Sequence, residues 1–305
     1  MWSEARLIGA ALVLCACAGP SPDPRFPPPG AAEIRVLPGG GALSFADLAA
    51  RTAAADLVIV GEQHDDPAHQ AMQAALIGAV HPGAVAFEMI PRAAESALAD
   101  LRAAPSPADA LRVAAQWDRY AEWHRPVGAL APDAPAIGAG LARADLRGAM
   151  KTSAAAVFDG DPAAFGLDAP LPANMQAAME AEQIAAHCNA MPAAMAPAMV
   201  EAQRLRDAAF ARALLRADDA AGDAPAFLIT GNGHARRDRG SPAYLPGRDL
   251  LVIGQINRPA GGDWRDALAS WQTPGAPPVF DIVIVTDPPP GRGDPCDAFR
   301  KPPKS

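Results

Sequence analysis

Apolar residues in this chain gather in short unbroken runs, set between longer alanine-rich stretches with helical spacing. The runs Asp56-Leu57-Val58-Ile59-Val60, Ala84-Val85-Ala86-Phe87 and Ala226-Phe227-Leu228-Ile229-Thr230 lack the polar alternation of a half-exposed strand. So do Leu250-Leu251-Val252-Ile253-Gly254 and Asp281-Ile282-Val283-Ile284-Val285. Such runs predict parallel strands buried on both faces, and Ala134 to Gly140 predicts one more. Helices are predicted between them: from an N-cap at Ser44 to Ala54, from Asp66 and Pro67 through Ala79, from Arg92 to Leu101, and after Gly140 through Met150. Strands alternating with helices predict an α/β fold whose sheet is mainly parallel and flanked by helices. Two helical stretches, Pro107 to Ala129 and Pro172 to Ala220, interrupt the rhythm and predict a smaller inserted helical subdomain over one end of the sheet.

The chain ends modify this picture. Arg6 in a brief polar head, then the apolar run Leu7 to Leu14 and small residues, read as a secretion signal too short to span a bilayer permanently. Leu14-Cys15-Ala16-Cys17 resembles a bacterial lipobox, with Cys17 as the lipidated residue because Leu14 and Ala16 fit the positions before it. Ordinary secretion with cleavage nearby is the alternative, and either way the mature chain lies outside the cytoplasm. The expected organisation is a signal peptide over 1–17, a Pro-rich tether over 18–32, a folded domain over 33–287 and an exposed tail over 288–305. Within the domain, 33–103, 131–160 and 223–287 form the α/β part, and 104–130 and 161–222 the helical part. Cys188 and Cys296 are left as the other thiols, either paired in an oxidising compartment or packed separately as small hydrophobes. A net charge of -8 and a pI near 5.2 over 305 residues argue against nucleic acid as a partner.

Chemistry concentrates at the strand ends. Gly61-Glu62-Gln63-His64 and Gly231-Asn232-Gly233-His234 each follow an apolar run, and Glu88 ends another. In open α/β sheets the carboxyl ends of the strands form the ligand crevice, so these groups are expected to converge there. Glu62 and His64 are one pleat period apart and share a side, and the glycines are read as permitting tight turns. His64, Glu88 and His234 could hold a divalent metal such as Zn or Mn, or act with Glu62 as an acid–base set without metal. Residue types alone do not choose. Asp65, Asp66 and His69 are assigned to helix capping and first-turn charge, and Gln203 and Asp207 share a helix face four residues apart. Arg212 and Arg216 are read as solvent-facing. Met175, Met179, Met191, Met195 and Met199 form either a core stripe or an adaptable apolar surface for a large flat ligand.

At these residues the chain resembles the ChaN-like haem-binding lipoproteins and, more distantly, erythromycin-esterase-like and Tiki-type proteins. The resemblance rests on the two Gly-x-x-His phrases, Phe87-Glu88-Met89, the Trp117 to Pro126 segment, His187-Cys188, Gln203 with Arg206-Asp207, the Asp281 to Thr286 strand and Asp294-Pro295-Cys296. It implies an α/β domain with a smaller helical one, an outer-membrane anchor, haem binding linked to a homodimer, and Arg206-Asp207 close to the His/Glu centre. Gly140-Leu141-Ala142-Arg143 departs from an Asn-Leu-Pro-Arg-like phrase, and His124 stands where relatives often have Tyr.

The leading expectation is therefore a bacterial envelope lipoprotein that binds haem, or iron released with it, during uptake. Tyr244, Tyr120 or His124 would be the axial ligand and Arg236 or Arg237 the propionate partner. His187, Gln203, Arg206 and Asp207 would support the centre. The alternative, from a different class, is a metal-dependent or His/Glu-based hydrolase with His64 as base or ligand and Glu62, Glu88 and His234 around it. A third reading is an envelope scaffold whose site is spent.

Overall fold

A computed structural model of the chain describes residues 22–103, 124–294 and 296–297. The predicted strands assemble into one sheet. Its eight members are β1 (Glu33–Val36), β2 (Gly41–Ala42), β3 (Leu57–Glu62), β4 (Ala84–Pro91), β5 (Ala136–Gly140), β6 (Ala226–Gly231), β7 (Leu250–Asn257) and β8 (Ile282–Thr286), in the order β2-β1-β8-β7-β3-β6-β4-β5. From β8 to β5 every neighbouring pair is parallel, while β1 pairs antiparallel with β8 and with β2. The central strand β3 sets Val60 beside Ile229 of β6 and Ile253 of β7.

Ten helices flank the sheet among the described residues: α1 (Phe45–Ala53), α2 (Pro67–Val80), α3 (Glu95–Arg102), α4 (His124–Ala129), α5 (Arg143–Lys151), α6 (Ala154–Val157), α7 (Ala173–Ala186), α8 (Ala196–Ala221), α9 (Asn232–Ala235) and α10 (Trp264–Ala269). Local chemistry sets the starts. Ser44 accepts from Asp47 N–H in a capping box, and Asp66 accepts from Ala68 and His69 N–H ahead of Pro67. A side chain at Cα 61 or 231 would collide with a neighbour, so those two glycines serve close packing. An added Cβ would lie 2.4 Å from Asn232 Oδ1 at Gly61, and 2.9 Å from His64 Nε2 at Gly231. Gly61 sits inside β3, and Gly231 ends β6 in extended backbone at the N-cap of α9, which corrects the expectation that they make tight turns.

The unbroken apolar runs follow from burial on both faces. Leu57 and Ile59 point into one core cluster with Leu228, Phe210 and Leu214, and Val58 and Val60 into the other with Phe227, Met72 and Leu76. Helix α8 lies on the sheet rather than apart from it, because Phe210, Leu214, Ala217 and Ala221 form a stripe packed on β4, β5 and β6. Its alanines let it approach closely. Part of the proline-rich approach also docks, with Phe26 and Ala32 packed against the α1–α2 side. Beyond β8 the chain is exposed but tethered: Arg292 donates to the His64 carbonyl at 2.7 Å, and Cys296 forms a disulfide with Cys188 across 108 residues. Among the described residues no helix is long and apolar enough to cross a membrane.

Phe227 is fully buried in the core on the α2 side of the sheet. Phe227→Ala is expected to lower unfolding free energy by about 3–5 kcal/mol in equilibrium urea denaturation, from lost burial plus the cavity left behind. A loss below about 1 kcal/mol would contradict the two-faced core.

Candidate functional site

The parallel pairing of β3 with β6 puts the two Gly-x-x-His phrases side by side, Glu62 opposite Gly231, and β4 brings Glu88 in from the other flank of β6. His64 leaves β3 in the following loop, while the second phrase coils into α9 and turns His234 back toward the strand ends. Asn232 holds that turn in place, its side chain donating to the Gln255 carbonyl and accepting from the Gln255 N–H on β7.

What results is an alternating row of carboxylates and imidazoles. Glu62 Oε1 accepts from His64 Nδ1 at 2.9 Å, and His64 Nε2 lies 3.9 Å from Glu88 Oε1. On the other side of Glu88, His234 Nε2 lies 3.8 Å from the same oxygen, and His234 Nδ1 donates to Asp207 Oδ1 at 2.7 Å. Glu88 is fixed through its second oxygen, which accepts from Thr230 Oγ1 at 2.6 Å and from the Gly231 N–H at 2.7 Å. Glu62 is held likewise by the Gln73 amide at 2.7 Å. The Gln203 amide nitrogen lies 3.1 Å and 3.3 Å from the two ring nitrogens of His234, and Phe210 packs edge-on to that ring at 4.9 Å. His64 is the solvent end of the row, its side chain 38% exposed against 2% for Asp207 at the inner end.

Burial and pairing compete along the row. Burial by itself would strip the proton from His64, but the hydrogen bond it donates to Glu62 and the charges of Glu88, Glu62 and Asp65 raise it to about 9. Burial likewise opposes charge on His234, and the Asp207 and Glu88 carboxylates reverse the direction and raise it. Burial pushes Asp207 up to about 6 despite its imidazole partner, so this inner pair keeps a proton at higher pH than either group would in water. Glu88 is lowered: burial is outweighed by the two imidazoles and by the Thr230 and Gly231 hydrogen bonds. The set is suited to holding and passing protons.

The expectation that His64, Glu88 and His234 ligate a metal fares differently. Among the described residues no group of three or more His, Cys, Asp and Glu side chains is arranged to hold an ion. Each imidazole lies between two carboxylates, which raises its hold on a proton, and a metal ion would have to compete with that proton for the ring nitrogen.

The remaining expected residues fall in several places. Arg206 donates to Gln203 Oε1 at 3.4 Å, beside the centre, while His187 closes the end of α7 by donating to the Gln183 carbonyl at 2.7 Å. Tyr244 is half-buried against α8. Burial and the Asp207 charge push its phenol up. Arg236 is committed to Asp238, and Arg237 to Asp281 and the Leu250 carbonyl, so neither is presented to a propionate. His124 opens α4, half-buried; Tyr120, Trp117, Trp123 and Cys17 lie outside the described residues. Asp66 caps α2, and His69 is buried and neutral, its pKa lowered to about 4 by burial, accepting the Gln63 N–H. Gln73 and Thr230 were missed as site residues. Gln73 follows His69 by one helical turn, and Thr230 directly precedes the second Gly-x-x-His phrase.

A family model described as haem-binding uptake, Tiki superfamily, ChaN matches residues 48–245, which takes in every member of the row. The chain belongs to that family. Among solved structures it is similar to ChaN of Campylobacter jejuni, described for cofacial haem binding, at 17% identity and a TM-score of 0.62 over 84% of this chain and 96% of that one. It also matches an erythromycin esterase, EreC, in its open conformation, at 14% identity and a TM-score of 0.42 over 84% and 83% of the two chains. Comparison with the curated proteins finds no match. The ChaN likeness establishes the α/β fold.

Because His64 binds its proton more tightly folded than unfolded, its contribution to stability is complete below about 6.5 and is lost as pH rises through about 9. Glu62→Gln removes the hydrogen-bonded charge and is expected to lower the His64 midpoint by about 1–3 pH units, read from its ring resonances in an NMR titration. An unchanged midpoint would show that Glu62 does not charge the ring.

Proposed function

We propose that this protein binds haem, or iron released with it, as an envelope lipoprotein of an iron-uptake route, acting as a homodimer. The observation that carries the reading is membership of the haem-binding ChaN family over most of the fold. The chain adds an apolar wall suited to a flat macrocycle. Helix α7 buries only Met179 of its 14 residues, and Met175, Ile184, Met191 and Met199 stay half-buried while Met195 is 44% exposed. Thioether side chains repack around a large ligand at little cost. Haem supplies the iron; the protein supplies the wall and an axial donor, for which Tyr244, Tyr120 and His124 are the candidates. Haemin titrated into the form lacking residues before Ala18 is expected to give a saturable Soret change together with dimer formation in sedimentation. Loss or displacement of the band in His124→Ala, Tyr120→Phe or Tyr244→Phe identifies the ligand, and a wild-type protein with no specific spectrum overturns the reading.

A second reading has its own observation. The row Glu62, His64, Glu88, His234 and Asp207 makes a His/Glu acid–base set with no evident use in holding a porphyrin. It favours a hydrolytic role at the same strand ends, with His64 at the solvent side as base or acid. In the haemin titration, His64→Ala is therefore expected to leave haem affinity within about twofold of wild type, since the side chain is remote from the binding energy. A tenfold loss would place the row in haem binding instead.

The sequence also supports anchoring at Cys17 in the outer membrane. Cells grown with a labelled palmitate analogue are expected to label the wild type and not Cys17→Ser; equal labelling of both would exclude Cys17 as the acceptor.

A further inference from the structure

A cavity beside α8 shares no residue with the acid–imidazole row. It measures about 530 Å³ and opens between α8, the ends of β4 and β5, and the loops around α5 and α6. Its floor is apolar, formed by Leu141, Val157, Phe158, Leu205 and Ala209. Phe158 and Leu205 belong to a small core cluster of their own, so the floor is packed protein rather than a surface dimple.

The lining carries both signs of charge, Arg92, Arg212 and Arg216 with Asp145 and Asp159. Arg92 and Arg212, from different parts of the chain, both reach one oxygen of Asp159, and that aspartate is 74% exposed. Arg216, deeper in, is engaged by Glu95 through both prongs at 2.8 Å. Asp145 also lines the cavity. Two guanidiniums focused on a single exposed carboxylate are an unusual use of charge. Exposed pairs of this kind add little to stability, because water competes for both partners. The pair is, however, geometrically ready to receive a carboxylate from outside, and Asp159, on a surface loop, can move aside. Gly140-Leu141-Ala142-Arg143, which the sequence marked as a departure from the family pattern, lines this cavity through Gly140, Leu141 and Ala142.

We propose that this cavity is a binding site for a small amphipathic carboxylate, whose head group displaces Asp159 from Arg92 and Arg212 and whose apolar body rests on Phe158, Val157 and Leu205. The size and lining match those of small-molecule sites, which are largely apolar with a few placed polar groups. Guanidinium recognition of a carboxylate supplies the orientation. Asp159 then acts as a built-in competitor that occupies the two arginines when no ligand is bound.

Calorimetric titration of the form lacking residues before Ala18 tests this with octanoate and its uncharged amide. Octanoate is expected to saturate one site and octanamide to bind at least about fivefold more weakly. Asp159→Asn, on an exposed loop and therefore safe for folding, is expected to tighten octanoate binding about threefold or more by removing the competitor. Arg92→Ala combined with Arg212→Ala is expected to weaken it about tenfold. The proposal is overturned by equal affinity for acid and amide, by unchanged affinity in the double arginine variant, or by no saturable binding in both wild type and Asp159→Asn.

Discussion

The Glu88 carboxylate, pinned by Thr230 and the Gly231 N–H, is the contact on which the arrangement of the candidate site depends. It stands between two imidazoles 170 residues apart in the chain and gives both the same neighbour. Without a fixed negative charge there, two protonated histidines would face one another across a largely buried crevice. With it, each ring has a carboxylate on both sides, and the alternation lowers Glu88 while raising His64 and His234. The backbone N–H at Gly231 can make its bond because no side chain stands at that position to displace the His64 ring.

That contact is possible only because the sheet is rigid beneath it. Both faces of β3 and β6 are buried along their whole length, and those of β4 as far as Phe87, which holds the strand ends in register. Helix α8 links scaffold and chemistry: Phe210 and Leu214 fasten it to the sheet, and Asp207 and Gln203, one and two turns earlier, reach His234. Leu205, Ala209 and Arg212 of the same helix line the cavity beside it. One helix thus serves two separate crevices, which its length of 26 residues and its alanine content allow.

Family membership and the acid–imidazole row speak to different parts of the molecule. The ChaN family assigns haem to proteins of this kind, and the chain answers with a methionine-bearing helix that buries little of its own surface. The row answers to proton chemistry instead. Since its members are satisfied by each other, it needs no porphyrin to account for its geometry.

Much of the fold was legible because its signals are local. Ser44 and Asp66 cap the helices expected of them, and the five long apolar runs became strands of a mainly parallel sheet, because a strand covered on both faces has no polar positions to spare. The likeness of the two Gly-x-x-His phrases and the presence of an acid after the Phe87 run were also visible in one dimension. Strand order was not, since nothing local says that β6 inserts between β3 and β4 and so makes neighbours of Glu62, Glu88 and His234. Nor could spacing decide whether Cys188 would meet Cys296, which side of α8 would meet the sheet, or that Arg237 would be spent on Asp281. Apolar periodicity and capping are written in neighbouring residues, whereas charge pairing between distant segments exists only after the chain has closed, and it is this pairing that sets the protonation of the site.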